Sequence, residues 1–168
     1  HINTQSDTEV LINIFASALE NNLDGELNNE CISKAVAEVH SRVIGAYSVI
    51  AMILGYGMVA FRDPNGIRPL VVGSKNDSTH MVASESVSLE CLGYRLERDV
   101  EPGETIIIDS KGKIDSWKYD GTINRTPCIF EFVYLARPDS TIEEINVYES
   151  RLSMGRYLAE KIKLTLSK

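Results

Sequence analysis

Cysteine, histidine, tryptophan and proline are all scarce in this chain of 168 residues, with three, three, one and five copies. The cysteines, Cys31, Cys91 and Cys128, are odd in number and far apart. That argues against a disulfide framework and for a reducing, cytoplasmic setting. None of His1, His40 and His80 neighbours a cysteine, so no sequence-local zinc site is written into the chain. No histidine has a recognisable partner for a catalytic triad either. Long apolar runs are missing: the longest, Val49 to Leu54, falls far short of the ~20 residues a membrane span requires. A basic stripe is missing too. The net charge is −7, which with no basic stripe to offset it argues against a nucleic-acid-binding face. The opening "HINTQSDTEV" lacks the basic and apolar regions of a secretory leader and lacks an initiator Met, so the chain reads as an excised piece.

What is there suffices for a core. With 43% hydrophobic and 24% charged residues, the chain can bury one domain and part of another. Ser6-Asp7-Thr8-Glu9 fits a capping box, with Ser6 as N-cap and Glu9 three positions on. Val10, Leu11, Ile14, Phe15, Ala18 and Leu19 then recur at helical spacing to about Asn21. A second helix is expected from about Glu30 to Val43. The apolar run Gly45 to Leu54 reads as a strand covered on both faces. "MVAFRDPNGIRPLVVG" reads as two short strands joined by a turn, in which Pro64, Asn65 and Gly66 supply the corner geometry. Arg62, Asp63 and Arg68 are more charge than a turn needs, and are expected to brace adjacent loops through charge-assisted hydrogen bonds.

Further strands are expected at His80 to Ala83, and as a meander over Tyr94 to Val100, Glu104 to Asp109 and Lys113 to Tyr119. Between them "SESVSLECLGY" reads as a short helix ended by Gly93. "KNDST" reads as a loop and Asp120 to Pro127 as an irregular linker. Cys128 to Leu135 looks strand-like, and a last helix is expected from near Ile142 almost to the C-terminus. Helices and strands are segregated, which means α+β. Gly55-Tyr56-Gly57-Met58-Val59-Ala60 matches a dinucleotide-loop pattern, but a strand follows where the pattern needs a helix, so it is read as a hairpin turn. Asp7, in the first turn of a helix, suits either the helix dipole or a substrate ammonium.

The segments "TQSDTEV", "GAYSVIAMILGYGMVAFRDPNGIRPLVVG", "MVASESVSLECLGY", "RDVEPGETIIID" and "CIFEFVYLARPDSTIEEINVYESRLSMG" resemble the amidophosphoribosyltransferases, which are glutamine phosphoribosylpyrophosphate amidotransferases. The R-D-P-N-G-I-R-P-L stretch followed by A-S-E is similar to a wider class of glutamine amidotransferases that includes asparagine synthetase. The A-R-P-D-S segment narrows the resemblance to the one family. It implies part of an αββα N-terminal-nucleophile glutaminase sandwich, followed by the first helix of an α/β phosphoribosyltransferase domain. Residues 1–127 would be the second half of the glutamine amidotransferase domain, and residues 128–168 a linker strand and the start of the next domain.

The resemblance also implies an activity. Such enzymes make 5-phosphoribosylamine from phosphoribosylpyrophosphate and glutamine, the first committed step of purine nucleotide synthesis. The family's nucleophilic cysteine lies before "INTQSD", so no catalytic residue is expected here, and the chain is expected to be inactive alone. Asp7 matches the carboxylate that binds the glutamine α-ammonium. Phe132, Tyr134 and Leu135 match a segment beside the ammonia tunnel at the domain junction. Cys128 is a candidate ligand for a [4Fe–4S] cluster carried by some members, with the other ligands elsewhere. Mg2+ would accompany phosphoribosylpyrophosphate outside this chain, and the parent would be a homo-oligomer. The alternatives are another glutamine amidotransferase of the class, or a non-enzymatic α+β binding module.

Overall fold

The computed structural model describes residues 4–76 and 79–166. Asp77 and Ser78, expected within a loop, lie outside the described residues. Helices α1 (Asp7–Asn21) and α2 (Asn29–Arg42) come first. Asn28 caps α2 by accepting the Cys31 N–H at 3.0 Å. The capping box of α1 forms differently from expectation. Ser6 holds the N-cap position, but its hydroxyl caps nothing. Glu9 reaches past it to accept the Thr4 N–H at 2.6 Å and the Thr4 hydroxyl.

One sheet has the order β1 (Ser48–Ile53), β2 (Gly57–Arg62), β6 (Glu104–Asp109) and β7 (Ile114–Lys118). The second has the order β4 (Thr79–Ala83), β3 (Val71–Asn76) and β5 (Arg95–Asp99), all pairs being antiparallel. Helix α3 (Ser86–Cys91) follows β4, and Gly93, at φ +74°, ends the turn after it.

Alternation along the strands builds the layers. From β2 and β6, Val59, Phe61 and Ile107 face α1 and α2, where they meet Phe15, Ala18, Ile32, Val36 and Val39. Their neighbours Ala60, Ile106 and Ile108 face the second sheet and pack on Leu70, Val72, Val82 and Val100. On that sheet's far side Val71 and Ala83 pack with Leu89 of α3. The order is helix, sheet, sheet, helix. Each fully buried Val, Ile or Phe contributes about 1.5–3 kcal/mol, so these three clusters hold the layers together.

Three strand expectations need correction. Strand β1 is an edge covered on one face only. Val49, Ala51 and Ile53 pack on the helices, while Met52 is 84% exposed, because the three-stranded second sheet does not reach it. The Arg62–Pro69 stretch is not a hairpin: β2 and β3 belong to different sheets, and the chain crosses between layers there. Strands β5, β6 and β7 are not a continuous meander, since a second crossover at 100–103 carries the chain back to the first sheet.

After the irregular stretch 119–128 the sequence departs from expectation again. Glu131–Leu135 form a π-turn rather than a strand, closed by the Ala136 N–H on the Glu131 carbonyl at 3.0 Å. A small hairpin, β8 (Thr141–Ile142) and β9 (Ile145–Asn146), comes before α4 (Val147–Leu166), which therefore starts later than its apolar spacing suggested. Phe132 packs beside Ala136, Ile142 and Val147 in a separate small core.

His40 of α2 is buried, and its Nδ1 lies 2.8 Å from the Tyr47 hydroxyl. Burial lowers its pKa from 6.5 to about 4. Between those values the unfolded chain binds a proton that the folded one refuses. Stability should therefore fall as pH drops through this window, by about 3 kcal/mol in full. His40→Gln keeps a partner for Tyr47 and cannot titrate, so urea unfolding at stepped pH should show a flatter profile for the variant. Parallel profiles for the two proteins would count against this role. Glu131 and Asp99, whose pKa values burial raises, act with the opposite sign in both proteins and cancel in the comparison.

Candidate functional site

A cavity of about 1000 Å³ runs along the open side of β1. Its walls come from the first turn of α1 (Asp7, Thr8, Leu11), the lead into β1 (Ile44 to Tyr47), the first crossover (Arg68, Pro69), the end of β4 (Ser84, Glu85) and the π-turn (Glu131, Leu135). Five separate stretches of chain meet there.

The charged groups have distinct commitments. Glu131 is buried and accepts from Arg68 Nη1 at 2.8 Å. Burial raises its pKa, and Arg68 opposes that rise. Glu85 spends Oε2 on the Arg137 N–H and the Ser140 hydroxyl, both at 2.8 Å. The neighbouring Ser86 hydroxyl accepts the Thr141 N–H at 2.8 Å. The A-S-E and A-R-P-D-S segments thus lock onto each other, far apart in sequence and adjacent in space. Asp7 is exposed, and Oδ1 takes the N–H of Thr8 at 2.8 Å. Among the described residues no cation pairs with it. Three carboxylates and one guanidinium leave the cavity acidic: Glu131 is paired with Arg68, whereas neither Asp7 nor Glu85 makes an ion pair among the described residues.

The crossover is built around Asp63 and Arg62, neither of which reaches solvent. The Asp63 carboxylate accepts the N–H groups of Asn65 at 2.9 Å, Ile67 at 3.1 Å, and Tyr47 and Arg68 more weakly at 3.4 and 3.5 Å. Arg62 donates to three carbonyls: Arg68 at 2.7 Å, Gly66 at 2.8 Å and Val100 at 2.8 Å. Gly66 takes φ +60°, which favours glycine at that corner. Charge that seemed excessive for a hairpin fits a bend between layers, where backbone groups have no strand partner.

Of the residues singled out in the sequence, Asp7 and Leu135 share the cavity. Phe132 sits in the small core, and Tyr134 is 78% exposed and lines no part of the cavity. The Cys128 N–H donates to the Ile67 carbonyl at 3.2 Å. Among the described residues no three His, Cys, Asp or Glu side chains gather to hold a metal ion. Tyr47, Arg68, Glu85 and Glu131 were not marked as site residues from sequence. Only contacts between distant segments bring them together, and local pattern carries no sign of these. No described helix is long and apolar enough to cross a membrane.

No protein-family model matches the chain. It is 51% identical over 166 residues to the amidophosphoribosyltransferase of Escherichia coli, covering 96% of the chain and 33% of that protein. The Archaeoglobus fulgidus amidophosphoribosyltransferase is 35% identical, covering 94% of the chain and 32% of the relative. Among solved structures, glutamine phosphoribosylpyrophosphate amidotransferase from B. subtilis, complexed with ADP and GMP, is 36% identical with a TM-score of 0.71, over 88% of the chain and 30% of that structure. A structure described as the allosteric regulatory enzyme of purine biosynthesis gives 35% and 0.79, over 96% and 32%. The chain spans about a third of the length of the curated relatives it matches.

Proposed function

We propose that this chain is part of an amidophosphoribosyltransferase, and that its cavity forms one wall of the site where glutamine gives up ammonia. The parent protein would take glutamine and phosphoribosylpyrophosphate to 5-phosphoribosylamine, with Mg2+ bound beside the second substrate outside this chain. The observation that carries the reading is the resemblance along 96% of the chain, together with the place of its matched carboxylate. Asp7 opens into an acidic cavity at the start of a helix, where no described cation neutralises it. In the sandwich, residues 1–127 would belong to the glutaminase half, and the remainder would lead into the transferase.

Asp7 would receive the α-ammonium of glutamine, setting the amide end of the substrate at a fixed distance. It binds and orients; the nucleophile would come from elsewhere in the parent. Leu135, in the same cavity, is the candidate for the start of an ammonia path, while Phe132 packs in the small core with Ala136, Ile142 and Val147. Tyr134 would face outward from this chain and line that path only against another part of the parent.

A charge-assisted hydrogen bond to the ammonium is worth roughly 1.5–3 kcal/mol. Asp7→Asn in the full-length protein should therefore lower glutamine kcat/KM by about 10- to 150-fold. Folding should change by less than ~1 kcal/mol, because the position is exposed and only the helix-end charge is lost. Synthesis from added ammonia bypasses the glutamine site and should be retained. Unchanged glutamine kinetics would remove Asp7 from the site, and absence of glutamine-dependent synthesis in the unaltered parent would remove the reading itself.

A further inference from the structure

The turn between β8 and β9 is unusual for its composition. Ile142 pairs with Ile145, so two residues make the corner, and both take left-handed backbone: Glu143 at φ 51° and Glu144 at φ 65°. Such corners favour Asn-Gly, and residues with a β-carbon are strained there unless the surroundings hold them. The surroundings of Glu143 do hold it. Its carboxylate takes Arg62 Nη2 on one oxygen at 3.1 Å and Arg125 Nη2 on the other at 3.0 Å. Its N–H donates to Asp99 Oδ1 at 3.2 Å. The side chain is only 12% exposed, so these contacts are poorly screened by solvent.

Arg62 is the link to the cavity. Its guanidinium fixes the carbonyls of Gly66 and Arg68 in the first crossover and of Val100 in the second. The first crossover carries Arg68 and Pro69 into the cavity wall, and Asp63 within it holds the backbone of Tyr47, another wall residue. We propose that Glu143 is a positioning residue for the Asp7 cavity: it anchors Arg62, and through Arg62 it sets the crossover that shapes the wall. A segment that touches no part of the cavity thereby controls its geometry. The strain in the turn is compensated by the two arginines.

The kinetic arm of the test rests on the glutamine reading above; the exchange arm does not. In the full-length protein, Glu143→Gln should speed hydrogen exchange at the Ile67 and Arg68 amides by about tenfold or more, since a charged bond to the anchor is lost. It should raise the glutamine KM by about two- to thirtyfold and leave ammonia-dependent turnover unchanged. Glu144→Gly relieves the corner and leaves the Glu143 carboxylate in place, so exchange at those amides should stay equal or slow. Unchanged exchange in Glu143→Gln overturns the proposal. Faster exchange with unchanged glutamine KM, or equally fast exchange in Glu144→Gly, also overturns it. Should Glu143→Gln fail to fold, Glu143→Asp, with the charge kept and the reach shortened, is read by the same criteria. If the unaltered protein has no glutamine-dependent turnover, the functional reading fails, and the exchange measurements alone decide whether Glu143 sets the crossover.

Discussion

Replacing Arg62 with methionine should cost the fold about 3–5 kcal/mol, the range for removing one partner of a buried charge pair. Methionine fills much of the same volume, so little of that loss is packing. What goes is a three-way donor. The carbonyls of Gly66, Arg68 and Val100 would lose their partner in a place water reaches poorly, and Glu143 would keep only Arg125. Each stranded acceptor carries its own desolvation cost. Arg62→Lys should fall between the two, because one ammonium cannot span carbonyls on two crossovers as a planar fork does. Thermal unfolding would read the order directly, each kcal/mol moving Tm by about 2–4 °C in a protein of this size or somewhat larger. A loss below ~1 kcal/mol for methionine would mean the crossovers hold themselves in place.

The second large effect is expected in the other sheet. An alanine at position 73 would put its β-carbon 2.4 Å from the Arg95 carbonyl oxygen and 2.9 Å from a Leu89 methyl. Gly73 lies where the β3 and β5 register shifts, and of the two obstacles the Arg95 carbonyl is backbone and the Leu89 methyl belongs to a fully buried side chain. Overpacking of this kind costs about 1–3 kcal/mol when side chains can yield, and a β-carbon driven into a strand's backbone belongs at or beyond the top of that range. Gly155 is the contrasting case. It sits inside α4 with nothing within 4 Å of an added β-carbon. Gly155→Ala should stabilise that helix by about 0.5–1 kcal/mol. Urea midpoints that move in opposite directions for the two substitutions would bear this out; equal shifts would refute the steric account.

The α+β class could be read from the order of helices and strands, the layering came only from the family resemblance, and the elements at Asp7–Asn21, Asn29–Arg42 and Glu104–Asp109 fell near their expected places. Sheet membership could not. Period-two alternation places a residue on a face but does not say which strand lies beside it, so two crossovers looked like a hairpin and a meander. The β1 run looked doubly covered because its sequence is apolar on both faces, yet it ends as an edge. The segment "IFEFVYL" has strand-like composition, but Arg68 on Glu131 and Arg151 on the Phe132 and Ala136 carbonyls hold it coiled. Tertiary partners override propensity there. Asp7 was singled out through family resemblance, as was Leu135, and both line the cavity. The charged groups beside them were not, because Arg68, Glu85 and Glu131 lie on three distant stretches.

The two crossovers also bear on the order in which the chain can fold. Everything from Val71 to Asp99, with its sheet and α3, is contiguous in sequence and sits inside the interval between β2 and β6. Pairing Phe61 with Thr105 requires closing that whole interval. As open chain it would carry the full entropy of a long loop. Once β3, β4 and β5 have paired, the interval is a short rigid unit that delivers its two ends side by side, and Arg62 can bridge them through Val100. The three-stranded sheet of β3, β4 and β5 is then the expected nucleus, and the four-stranded sheet closes over it late. Substitutions such as Gly73→Ala should slow folding, whereas Arg62→Met should chiefly speed unfolding.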